Sequence, residues 1–249
     1  MGVFDVALIA STVRLVAPIL LAALGGLATE RAGIFNVALE GLMLIGAFVA
    51  VAITHVTGNP WAGAGAAALL AMATAAVFAF VVIDLRGDQV VAGLAINILA
   101  LGLTTYLVKP VFGTTGSFYD PNMPGLPEID IPFISGLPLI GQLTSGFSAL
   151  TYLAFVLAFV GHVLLYRHPW GIHLRAVGES PVAAGSVGIP VRRAKYAAVL
   201  LSGILCGLAG AELSISLVTQ FVLGMTAGRG FIALVAVMFG RARPAVMPS

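Results

Sequence analysis

The sequence predicts an all-α fold, a polytopic transmembrane bundle with about six to seven spans at ~20 apolar residues each. Three observations carry that reading. Hydrophobic residues make up 60% of the 249 positions and charged residues only 9%, against ~25% charged in a soluble domain. A soluble fold of this length lacks the polar groups to cover its outside. Apolar runs also recur between short polar breaks, and the cations gather in alternate breaks.

The runs fall at roughly 6–28, 36–57, 61–83, 90–111, 148–166 and 196–218, with a short last one at 230–240. The first is a span and not a secretory signal, because its first cation, Arg14, sits inside the apolar stretch instead of before it. The second opens after the charged break TERAGIFN (29–36), and the third after the turn-like HVTGNPW (55–61). The fourth follows DLRGDQ (84–89) and carries one polar residue, Asn97, in an otherwise apolar stretch. The fifth follows a long Gly/Pro-rich loop, 112–147, which holds Asp120, Glu128 and Asp130 and no Lys or Arg. The sixth places Gly203 and Gly207 four apart with Gly210 behind them, a spacing that lets backbones approach in lipid. The last is too short to span alone, so residues 219–229 help it or it dips part-way. The whole chain, 1–249, reads as one transmembrane domain.

Orientation follows from cation bias. The breaks at 29–36, 84–89 and 167–195 hold Arg31, Arg86, Arg167, Arg175, Arg192, Arg193 and Lys195. Alternation along the six clear runs puts these three breaks on one face, read as cytoplasmic. Arg241 and Arg243 at the end of the last run fit the same face. The N-terminus and the 112–147 loop are then external.

The break at 167–195 is punctuated. Ser180–Pro181 pairs a capping hydroxyl with a proline at the first helical position, and Glu179 adds negative charge at the positive end of the dipole. Gly188 suits a left-handed closing residue and Pro190 forbids continuation. A short helix of ~10 Å is expected at about 181–187, with Val182, Ala183, Ala184 and Val187 outward.

The stretch LRAVGESPVAAGSVGIPVRRAKYAAVLLSGILCGLAGA (174–211) resembles the cytoplasmic loop and following span of ABC importer permeases of the ribose, branched-chain amino acid and nucleoside type. ERAGIFNVALEGLMLIGAF (30–48), DQVVAGLAINILALGLTTYL (88–107) and MTAGRGFIALVAVMFGRARP (225–244) are similar to the nucleoside and simple-sugar subgroup, which works with basic-membrane-protein lipoproteins. The resemblance implies a cell (inner) membrane permease subunit forming the translocation path for nucleosides, or simple sugars, delivered by an external binding lipoprotein. It implies an ABC ATPase partner that carries ATP and Mg, and a second permease chain, identical or homologous. It makes Gly178, Glu179, Ala183, Ala184 and Gly188 the ATPase-coupling residues. In the family the chain runs on past the GR-x-RP motif, so the end at Ser249 reads as a truncation. Membrane lipid is an expected partner and nucleic acid is not.

The chain has no ATPase chemistry of its own. A P-loop needs Gly-Lys-Ser/Thr, and its lysines, Lys109 and Lys195, precede Pro110 and Tyr196. His55, His162, His168 and His173 form no His-Glu-x-x-His, and no Gly-x-Ser-x-Gly appears. No cofactor or metal is expected in this chain. The lone Cys206 reads as a packed hydrophobe. An ion-coupled secondary transporter, working without an ATPase, is the alternative function.

Candidate path residues are Asn36, Glu40, Asn97, Glu212 and Gln220. Ionisable groups within spans cost ~2.5–3.5 kcal/mol at the centre, so they face a wet cavity or a partner. Glu40 lies about one turn inside the second run. Glu212 lies ~25 Å along its helix from Lys195, in the outer half, where it pairs with Arg14 or Arg229 or lines the outer mouth. Asn97 reads first as an interhelical hydrogen bond and second as a contact to a sugar hydroxyl or a base edge.

Overall fold

The computed structural model describes residues 6–129 and 146–241. Most of the acidic loop, including Asp130, and Arg243 lie outside them. The helices are α1 (Val6–Arg31), α2 (Leu39–Thr57), α3 (Pro60–Ala79), α4 (Gln89–Phe112), α5 (Ala149–Tyr166), α6 (Pro169–Glu179), α7 (Pro181–Ser186), α8 (Val191–Ala211) and α9 (Arg229–Arg241). Phe80–Asp84 and Glu212–Leu217 extend α3 and α8 as π-helical turns. Six of the described helices, α1, α2, α3, α4, α5 and α8, are long and apolar enough to cross a membrane.

One device starts several of these helices. Asn59, His168 and Ser180 each accept a backbone N–H from the first turn, and each precedes a proline. Proline has no N–H to lose at that position, so the cap and the proline divide the unsatisfied donors between them. Asp88 and Ser148 cap α4 and α5 in the same way without proline.

Helices α2 and α8 are mostly buried, whereas α4 and α5 are mostly exposed. The exposed positions of α4 include Ile98, Leu99, Leu101 and Tyr106, and an apolar face of that length is matched by lipid, not water. Glycines draw the centre together. A Cβ on Gly207 would lie 2.5 Å from the Ala67 carbonyl oxygen and 2.8 Å from Ala68 Cα, while one on Gly46 would lie 2.6 Å from the Gly207 carbonyl oxygen. So α2 and α3 both touch α8 backbone to backbone, as the 203/207/210 spacing predicts.

The three cationic breaks meet at one end of the bundle. Arg31 donates to Tyr166 Oη at 2.9 Å. Arg192 forms a two-point contact with Asp84 at 2.7 and 3.1 Å, and Tyr196 Oη bonds the same carboxylate. At the other end His55 Nδ1 lies 3.2 Å from Asp120 Oδ2 and its ring packs edge-on against Phe118. Short strands close that end: β1 (Ser117–Tyr119) pairs antiparallel with β4 (Gln220–Val222), and β2 (Glu128–Ile129) with β3 (Phe147–Ser148).

Candidate functional site

Three of the expected path residues, Asn36, Glu40 and Asn97, come together at a break between α1 and α2. Helix α1 closes with Gly33 in the left-handed region (φ 74°), and Ile34 N–H reaches back to the Thr29 carbonyl. The chain then runs non-helically into the bundle, and α2 does not start until Leu39. Depth follows from the neighbours. Asn36 Nδ2 donates to Ser202 Oγ at 3.1 Å, and Ser202 lies about 15 Å along α8 from Arg192 at 1.5 Å per residue.

Non-helical backbone at that depth needs partners, because hydrocarbon offers none. Side-chain amides supply them. Asn97 Oδ1 accepts from Gly41 N–H at 2.8 Å and its Nδ2 donates to the Val37 carbonyl at 3.0 Å. Asn36 Oδ1 accepts from Ala38 N–H, and Gln89 Oε1 from Phe35 N–H. Asn97 is therefore engaged on both polar atoms by the α2 backbone, the interhelical reading. The sequence placed it mid-span but gave no sign that an irregular segment thirty-odd ångströms of chain away would meet it.

Glu40 serves a second broken element. Its Oε1 accepts from Gly228 N–H at 2.9 Å and its Oε2 from Gly230 N–H at 2.7 Å. It caps α9, so that short helix begins inside the bundle and runs to the cationic end, where Met238 lies beside Ile34 and Phe35. The last run thus dips part-way. Two helix N-termini, those of α2 and α9, point into the membrane interior with one carboxylate between them. This is the arrangement by which discontinuous helices build polar sites in transporters.

The remaining two path residues sit toward the other end. Glu212 is fully buried. It does not pair with Arg14 or Arg229. Its carboxylate accepts from Ser148 Oγ at 2.8 and 2.7 Å and from Thr151 Oγ1 at 2.6 Å. Arg14 instead donates to the Gly146 carbonyl at 2.6 Å, and Arg229 to the carbonyls of Met225 and Thr226. Two hydroxyls from the start of α5 satisfy Glu212 without a counter-charge, a partnership more than sixty residues apart that no local pattern signals. Glu212, Arg14, Glu128, Ser148 and Thr151 nevertheless line one polar cavity of about 250 Å³, in keeping with a place at the outer mouth. Gln220 is half-buried on β4 opposite Tyr119, away from both groups.

The 167–195 loop holds the expected capped helix as α7, Pro181–Ser186, with Val187 just past its end. Ser180 Oγ accepts from Ala183 N–H at 3.3 Å and Gly188 takes φ 85°. Val182 and Val187 are 85% and 75% exposed, and Ala183 is exposed with them. Ala184 is the correction: it is 3% exposed and faces inward, because Ile189 N–H folds back onto its carbonyl. Gly178 is placed by contact, since a Cβ there would lie 3.1 Å from both the Arg31 carbonyl carbon and Gly33 N. Glu179 is exposed beside Arg31 and Arg175 in a shared hollow. Helix α6 was missed. His168–Pro169 carries the same cap-and-proline signal as Ser180–Pro181 and was there to be read. Among the described residues no group of three or more His, Cys, Asp or Glu is placed to hold a metal ion.

A family model described as "Branched-chain amino acid transport system / permease component" matches residues 8–247. The chain is 39% identical over 248 residues to the putative glucose ABC transporter permease protein TsgC13 of Haloferax volcanii, covering 98% of this chain and 73% of that one. It is 37% identical over 256 residues to the guanosine ABC transporter permease protein NupQ of Bacillus subtilis, covering 95% and 76%. It is 35% identical over 234 residues to the nucleoside ABC transporter permease protein NupC of Lactococcus lactis, covering 91% and 73%. No solved structure matches the chain.

Proposed function

The chain belongs to the family of branched-chain amino acid transport system permease components, and from that membership we propose that it forms the translocation path of an importer for nucleosides, with simple sugars second. It is a multi-pass protein of the cell membrane and a permease subunit of an ABC transporter, whose ATPase is a separate subunit. The relatives are named as ABC subunits, and the ion-coupled alternative is set aside.

The cationic end is cytoplasmic by the positive-inside rule. There α7 receives the ATPase through Glu179, Ala183 and the exposed Val182 and Val187. Gly178, Ala184 and Gly188 shape that element from within. The observation that carries the reading is α7 itself: capped at one end, stopped at the other, and apolar where it is most exposed. ATP and Mg act on the partner. A second permease chain completes the path, and a binding lipoprotein delivers cargo near residues 112–147. Alternating access follows when ATPase closure moves α7 and the rigid spans pass that motion on. Asn36, Glu40 and Asn97 then hold the broken-helix wall, and Glu212 the outer cavity. Nucleoside cargo is favoured because two of the relatives above are named for guanosine or nucleosides.

The test is uptake of labelled guanosine and labelled glucose into proteoliposomes holding this chain with its ATPase, second permease and binding protein. ATP-dependent guanosine uptake that stops when the ATPase is left out is expected. Uptake by this chain alone under an ion gradient would overturn the proposal.

A further inference from the structure

A seam between α1 and α5 runs along the lipid-facing side of the bundle toward its cationic end. Its walls are wholly apolar and include Leu24 and Ala28 from α1, Leu157 and Leu164 from α5, and Leu205 of α8 as the floor. Trp170 of α6 closes it, the side chain that belongs where hydrocarbon meets headgroup. Arg31 stands one helical turn beyond Ala28 on the same face of α1, and Tyr166 directly follows Leu165 at the seam's edge. Arg31 and Arg175 both stack on the Tyr166 ring, at 5.5 and 5.3 Å from its centroid. Two like charges therefore converge on one ring, and the Nε of each is buried with no hydrogen-bond partner.

We propose that this seam binds one anionic phospholipid, its acyl chain against the α1–α5 wall and its phosphate on Arg31 and Arg175. The occupant follows from continuity and charge. The apolar wall leads without a polar break to two guanidiniums, the geometry of a chain bearing an anion, and phosphate is the group that guanidinium donors match. A zwitterionic headgroup would bring an ammonium against the same two cations; an anionic one does not. Glu30 and Glu179 share a hollow with these arginines, so discrimination rests on the phosphate contact and not on a broad positive surface. The inference needs only that the bundle lies in a membrane. It holds for any cargo.

The experiment is native mass spectrometry and thermal unfolding of the delipidated full chain, supplied with phosphatidylglycerol, phosphatidylcholine or glycerol phosphate. The wild type is expected to retain phosphatidylglycerol over phosphatidylcholine by about tenfold, two arginines at a membrane surface supplying that order of preference. Arg31→Gln with Arg175→Gln should bring the ratio close to unity, read within the same variant so that any change in basal stability cancels. Leu164→Trp, which fills the seam, should reduce retention of both lipids. Equal retention of the two lipids by the wild type would overturn the proposal, as would an undiminished preference in the arginine variant. Stabilisation by glycerol phosphate equal to that by phosphatidylglycerol would also overturn it, because the chain would then contribute nothing.

Discussion

Removing the exposed apolar side chains of α7 should weaken the permease's hold on its ATPase without disturbing the permease. Val182 and Val187 are 85% and 75% exposed, so each has nearly its whole side chain available to a partner. Val→Ala deletes two methyl groups, and at ~0.8 kcal/mol per buried carbon one fully covered site contributes about 1.6 kcal/mol. That is about fifteenfold in affinity for one site, and about two-hundredfold for the pair if the sites add. The assay titrates the ATPase against nanodisc-embedded permease and follows unfolding of the permease alone in parallel. Val182→Ala with Val187→Ala should raise Kd by about one to two orders of magnitude and leave the unfolding midpoint in place. Ala184→Trp separates the two kinds of residue. Ala184 is 3% exposed, so that change overpacks the loop at about 1–3 kcal/mol and should lower the midpoint as well. A double valine variant that binds within about twofold of wild type would refute α7 as the docking element.

Two further changes test the bundle. Gly207→Ala should destabilise by at least about 1–3 kcal/mol, because its Cβ would meet the α3 backbone at 2.5 Å; Gly65→Ala, with open space at its Cβ, should be neutral or mildly stabilising by unfolding in detergent. Glu40→Ala leaves the amides of Gly228 and Gly230 without acceptors, about 1–3 kcal/mol for each buried donor. Hydrogen exchange at those two amides should quicken, and Glu40→Gln, which keeps one acceptor oxygen, should fall between.

What the sequence made legible was whatever local chemistry decides. The spans follow from apolar runs and the orientation from where arginines cluster. Ser180, Pro181, Gly188 and Pro190 bound α7 because caps and breakers act within a few residues. What stayed hidden depends on pairs distant in sequence. Glu212 was expected to seek an arginine, but hydroxyls of Ser148 and Thr151 reach it first. Asn97 could be placed in depth but not in direction, since its partners lie on a segment with no periodicity of its own. Ala184 looked outward because the pattern of a six-residue helix does not say which side faces the loop. Helix α6 went unread although His168–Pro169 marked its start, because a histidine is a rarer cap than a serine.

Gly178 and Gly33 meet with only main-chain atoms between the loop that carries α7 and the turn that ends α1. Long side chains at such a joint would bend and absorb a small displacement. Bare peptide against bare peptide leaves no cushion, so a shift of a fraction of an ångström at the loop is handed on almost whole to the segment that bears Asn36 and Glu40. The joint works as a rigid thrust bearing. Any residue larger than glycine there, however well tolerated by the fold, would reset the rest position of everything downstream.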